Sequence, residues 1–150
     1  MQISEEELKL NKAKRQAWHF INYLFDKYKV PRIPVYIHWY HPSLETEDGM
    51  ISFGLFMYGY EKGKENPCIH IAGKQIGGTG ICSVFAHEFT HYLQWLHGRD
   101  MDNTESVEED AEYMGAGLYG QFLTNKKDKK IRIDGCLSAW KTKAEMEGKT

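Results

Sequence analysis

Apolar positions along the chain change their period from one segment to the next, and the changes mark out the elements. Ser4 followed three residues later by Glu7 is a capping-box signature. Beyond it Leu8, Trp18, Ile21, Tyr23, Leu24, Phe25 and Tyr28 recur at helical spacing to about residue 29, where Pro31 and Pro34 end the helix. Residues 33–40 alternate and are rich in β-branched and aromatic side chains, as a half-buried strand is. Residues 51–60 are apolar and aromatic with interior glycines, and 68–72 form a short third strand. Their close spacing predicts an antiparallel meander. Gly77-Gly78-Thr79-Gly80 opens a second long helix, with Thr79 a candidate N-cap and Gly98 placed as a helix C-terminal glycine. Thr104 is a candidate cap for a third helix reaching about residue 122, and a last helix is predicted over 135–147. The pattern predicts an α+β fold of one domain: an N-terminal helix, a small, about three-stranded, mostly antiparallel sheet, then helices.

Composition narrows the function classes. The 150 residues are 41% hydrophobic and 27% charged, which suits a packed globular core. A net charge of −2 gives no electrostatic reason to expect nucleic acid as a partner. The run Lys126-Lys127-Asp128-Lys129-Lys130 reads as a solvated turn, since no aromatic is interleaved in it. Cys68, Cys82 and Cys136 are an odd, widely spaced set without a CxxC pair, which argues for a reducing compartment and against a thiolate zinc site. The amino terminus is acidic where a secretory signal is basic, and no apolar stretch reaches membrane-spanning length. A cytoplasmic protein without a membrane segment is the expectation.

The chemistry concentrates in His87-Glu88-Phe89-Thr90-His91. Histidines at i and i+4 project from one helical face and can hold one ion from the same side. The glutamate after the first histidine lies beside the ion rather than on it, where it can take a proton from the attacking water. Chance alone produces HExxH in roughly 3% of chains of this composition, so the context matters. On a helical wheel Cys82, Phe85, Ala86, Phe89, Leu93 and Leu96 share one face, within about 60° of Cys82. His87, Glu88 and His91 lie opposite, with Val84 and Trp95 rather than lysines and free carboxylates. Such a helix is central to its fold. The competing reading is a pair of core histidines satisfied by hydrogen bonds, and burying two imidazoles and a carboxylate without a metal is costly.

A hydrolytic zinc site needs a third protein ligand and an open position. His97 stands ten residues after His87, the metzincin spacing, but Gln94 occupies the place of the glycine that breaks the helix there. In an unbroken helix His97 lies about 9 Å along the axis from His91 and about 120° away from its direction. The other source is the following helix, whose core stripe is Ala111, Met114, Gly115, Leu118 and Phe122. Glu108 sits about 60° from that stripe, Glu112 about 100°, Glu105 about 120° and Glu109 about 160°. Glu108 is thus the carboxylate best aimed at a neighbouring helix. Glu112, one turn later, could accept the free N–H of a ligand histidine. Glu105 and Glu109 read as a solvated acidic first turn favoured by the helix dipole.

These residues resemble the gluzincin metallopeptidases, whose signature is HExxH on one helix and a glutamate on a following one, with a buttressing acidic or amide residue four positions on. Together with Ala111 and the run Gly115-Ala116-Gly117-Leu118, the short form is similar to minimal gluzincins and to the ImmA/IrrE group of bacterial and phage-associated proteases. The likeness covers roughly residues 69–122. The interval between His91 and Glu108 is short, and Tyr119-Gly120-Gln121 replaces the Leu-Leu-Met-Pro ending of that group. The resemblance implies a small zincin-like domain holding one Zn2+ on His87, His91 and Glu108, with Glu88 as general base for hydrolysis of a protein or peptide substrate. For the oxyanion, His70, Tyr58, Tyr60 and Tyr113 are available types. In related folds the strand before the active-site helix pairs with extended substrate, which would give Ile69, His70 and Ile71 a substrate-binding role as an edge strand. The alternative is a catalytically silent, zinc-bound regulatory or protein-binding module, which has no need of Glu88 beside the metal.

Overall fold

The computed structural model describes residues 4–46, 49–59, 66–74 and 76–123. The expected last helix over 135–147, the lysine-rich run and Cys136 lie outside them. The element order is α1 (Glu5–Tyr28), β1 (Val35–His38), β2 (Leu44–Glu45), β3 (Ile51–Ser52), β4 (Gly54–Met57), β5 (Cys68–Ala72), α2 (Gly77–Leu96) and α3 (Thr104–Leu123). Among the described residues the fold is α+β, with three helices, a small three-stranded sheet and a two-stranded one. Contacts group the chain into two compact units, Met1–Phe85 and Ala86–Thr150, with the boundary inside α2.

In the first unit, Ser4 caps α1 by accepting the Glu7 N–H at 3.1 Å, and the helix ends on Lys29 in the left-handed region. The buried face of α1, Ala17, Phe20, Ile21, Leu24 and Phe25, meets the first turns of α2, where Phe85 lies 6.1 Å from both Phe20 and Phe25. Gly78 permits this approach. A Cβ there would stand 2.3 Å from the Gln16 Oε1 and 3.3 Å from the Ala13 Cα. The α2 helix starts at Gly77, so Thr79 is not its cap. Its hydroxyl instead accepts the Gln16 amide at 3.3 Å.

Two of the three strand pairings are antiparallel, β2 with β3 and β4 with β5. The meander is not formed. The main sheet has the order β1-β5-β4, with β1 parallel to β5. The reason lies in the core face: Val35 and Ile37 pair in register with Ile69 and Ile71, and Phe56 pairs with Ile69, so the buried isoleucines of β5 hold the centre. The expected single strand over 51–60 is two short ones, broken at Phe53, where the Ser52 hydroxyl bonds the backbone of Gly54.

In the second unit, α2 closes in a Schellman arrangement. Gly98 has φ 75°, its N–H reaches the Trp95 carbonyl, and the Arg99 N–H reaches that of Gln94. The Arg99 guanidinium then binds Asp110 and Ser106, drawing the first turns of α3 back toward the loop. The Asn103 carbonyl accepts the Val107 N–H, so Asn103 rather than Thr104 is the N-cap residue. This connection of seven residues between the helices is what makes the short His91–Glu108 interval workable. Ala111, Met114, Gly115 and Leu118 are buried as the stripe predicts, joined by Val107 and Tyr119. No described helix is long and apolar enough to cross a membrane.

Candidate metal centre

Near its middle α2 is buried almost all round, and its polar side chains there are the exception that needs accounting. Thr90 is satisfied locally, its hydroxyl donating to the Ala86 carbonyl at 2.8 Å. His87, His91 and Gln94 are satisfied by one another and by α3.

The His87 and His91 Nε2 atoms stand 3.2 Å apart, with ring planes at 82°. Glu108, carried on the first turns of α3, sets Oε2 3.0 Å from the His87 Nε2 and Oε1 3.0 Å from the His91 Nε2. These three residues form the one group of metal-ligating side chains among the described residues, each with a ligand atom within 4.8 Å of the others. A four-coordinate ion with bonds of about 2.0–2.2 Å separates its ligand atoms by about 3.3 Å, so contraction or expansion of a few tenths of an ångström is all the cluster requires. Two imidazole nitrogens and a carboxylate are a donor set that suits a divalent first-row metal ion, zinc among them.

Exposure is graded across the cluster. The side chains of His91, His87 and Glu108 are 8%, 24% and 59% exposed. The group is therefore buried at His91 and exposed to solvent at Glu108. Burial holds the His91 imidazole below the usual histidine range, outweighing the raising effects of its hydrogen bond to Gln94 and of the Glu108 charge. A neutral imidazole is the ligating form. Glu88, next to His87 in sequence, is buried at 7% exposure and is not one of the three grouped ligands.

Two features position these side chains. Gly115 lies against the α2 backbone, where an added Cβ would stand 3.1 Å from both the His87 Cα and N and 3.3 Å from the Ala86 carbonyl carbon. Any larger residue there would hold α3, and Glu108 with it, away from the histidines. Gln94 bonds His91 Nδ1 through Oε1 at 2.8 Å and donates its amide to the Val107 carbonyl at 3.0 Å. This corrects the sequence reading, which gave the buttressing role to Glu112. Glu112 is exposed and makes no hydrogen bond to either histidine among the described residues, because at about 100° from the stripe it faces water. The signal for Gln94 was present: it is the lone amide in an apolar run, three residues after His91 and on its side of the helix. His97 is exposed at the end of α2 and outside the cluster, as an unbroken helix requires.

The substrate-strand expectation needs correction too. β5 is the central strand, hydrogen-bonded to β1 on one side and β4 on the other, so Ile69, His70 and Ile71 have no free edge to offer an extended peptide. Ile69 and Ile71 are wholly buried. His70 bonds His38 across the sheet at 3.0 Å and stacks on Tyr36. Of the other oxyanion candidates, Tyr113 is exposed on α3, Tyr58 stacks on Phe56, and Tyr60 lies outside the described residues. No protein-family model matches the chain, and no curated protein or solved structure matches it.

Proposed function

We propose that the protein is a zinc-dependent metallopeptidase, with His87, His91 and Glu108 as the ligands of one Zn2+ and Glu88 as the general base. The observation that supports this reading is the convergence of two Nε2 atoms and both oxygens of one carboxylate within 3.0–3.2 Å, the histidines being those of the HExxH spacing and the carboxylate the one the helical wheel of α3 aimed inward. When bound, the ion supplies a Lewis acid and lowers the pKa of a water molecule. His87 and His91 provide neutral imidazole nitrogens, and Glu108 brings one negative charge on the solvent side. Glu88, adjacent to His87 in the motif and buried, is the carboxylate that would receive a proton from the attacking water and return it to the leaving amine nitrogen. The substrate is a protein or peptide, reaching the site from the exposed Glu108 side.

Metal content by mass spectrometry tests the reading. One zinc per chain is expected in the wild type and in His97→Ala, and none in Glu108→Ala. Glu88→Gln should retain zinc and lose peptide turnover by about 100-fold or more. A wild type that takes up no zinc when supplied with it would overturn the site. Full zinc in wild type with no hydrolysis across a peptide library would favour the silent regulatory module instead.

A further inference from the structure

We infer that Gln94 is the positioning residue of this centre, fixing the tautomer of His91 and the place of Glu108 with a single buried amide. The inference rests on the metal-site reading above and extends it to a residue that is not a ligand. Gln94 is fully buried and both ends of its amide are engaged. Only one orientation satisfies both partners. The Val107 carbonyl can only accept, so it takes the NH2 group, which leaves the amide oxygen facing the His91 Nδ1 at 2.8 Å. An amide oxygen cannot donate, so the proton of the neutral His91 ring resides on Nδ1. The Nε2 lone pair is thereby held toward the His87 Nε2 and the Glu108 Oε1, the direction an ion would take it from.

The other end of the amide acts on the third ligand. Val107 precedes Glu108 in the chain, so the bond to its carbonyl pins the peptide from which the carboxylate projects. Gln94 is itself held in place from outside the site, since its own carbonyl receives the Arg99 N–H in the turn that ends α2. One side chain therefore ties a histidine of α2 to the glutamate of α3, and its loss disturbs two of the three ligands together.

Two variants separate the two effects. Gln94→Leu removes both bonds, whereas Gln94→Glu keeps an acceptor for His91 and, when ionised, has no donor for Val107. Zinc affinity is read by competition with a chromophoric chelator, and the His91 tautomer by 15N–1H correlation spectra of metal-free protein. Wild type should show the Nδ1-protonated tautomer. Gln94→Leu should lose that preference and bind zinc about 10–100-fold more weakly. Gln94→Glu should keep the tautomer and bind with intermediate affinity, and serves alone if the leucine variant does not fold. A wild-type proton on Nε2, or either folded variant binding zinc within about twofold of wild type, would overturn the inference. A wild type that binds no zinc would count against the metal site, while the tautomer measurement would still decide the role of Gln94.

Discussion

Replacing Gly115 by alanine tests whether the close approach of α3 to α2 positions the candidate metal centre. Two opposing effects set the outcome. Alanine is favoured over glycine in a helix by about 1 kcal/mol. Against that, the new Cβ would stand 3.1 Å from two backbone atoms of His87, where carbon contacts are comfortable at about 3.5–4.0 Å. The obstruction is main chain in the middle of a buried helix, so it cannot swing aside as a flexible side chain would. Overpacking of this kind costs about 1–3 kcal/mol, which leaves a net loss of about 0–2 kcal/mol. The relief available is a shift of α3 by at least about 0.4 Å, and zinc sites hold their distances to about 0.2 Å. Glu108, about 10 Å away along the same helix, moves with it, so zinc affinity should fall by about tenfold or more. Gly120→Ala supplies the control. It lies on the same helix, and a Cβ there meets nothing within 4 Å. It should gain close to the full propensity term of about 1 kcal/mol and leave zinc binding unchanged. Urea unfolding in chelator, with zinc titration of each variant, makes the comparison. Gains of the same size for both alanines, with equal zinc affinity, would refute the packing argument.

Metal-free protein should lose stability on acidification. Burial lowers His91, and burial followed by the His38 charge lowers His70, both from the ordinary value of 6.5. The unfolded chain takes up these protons below about pH 6.5 while the folded chain refuses them, so stability is complete above that pH and falls as pH drops through the folded values. Urea midpoints at pH 7.5 and 5.5 should differ in that sense and differ less in His70→Gln; a midpoint that rises on acidification would contradict the assignment. Arg99→Ala should cost about 1 kcal/mol, allowing for screening at the half-exposed Asp110, and Arg99→Lys should not restore it, because one ammonium cannot fork to Asp110 and Ser106 together. Equal stability of the lysine variant and wild type would show that charge alone matters there.

The three described helices and the grouping of His87, His91 and Glu108 were legible because both depend on local periodicity. Ser4, Gly98 and the stripe from Ala111 to Leu118 act through bonds or contacts within a few residues, and the 100° step of a helix fixes which of four neighbouring glutamates faces inward. Strand order was not legible. Putting β5 between β1 and β4 depends on which row of isoleucines fills the core best, and His38 meets His70 only as a result. The role of Gln94 fell between these cases. Its spacing from His91 was visible, but its second bond, to Val107, depends on how closely α3 returns after the turn, and so on Gly115 and Arg99.

The chain holds a second pair of histidines in contact, and the difference between the two pairs says what each can do. His38 Nε2 and His70 Nδ1 are 3.0 Å apart, with ring planes within 8° and centroids 5.3 Å apart. His87 and His91 have the longer nitrogen separation, 3.2 Å, yet the shorter centroid distance, 4.8 Å, and planes at 82°. Rings whose centres are farther apart while their nitrogens are closer meet end to end. In the sheet pair one N–H therefore points straight at the other ring's lone pair, and neither nitrogen is directed toward a shared third point. On α2 the rings meet at an angle, and Glu108 closes the open side with opposite charge. The sheet pair should thus be a proton-sharing contact between β1 and β5 and the helix pair a ligand set. Replacing His38 and His70 together by glutamine should leave one zinc per chain, whereas His87→Gln or His91→Gln should abolish it. Zinc lost from the sheet variant and kept by the helix variants would reverse the assignment, since it would require the end-to-end rings to rotate into a binding geometry more readily than the angled ones use theirs.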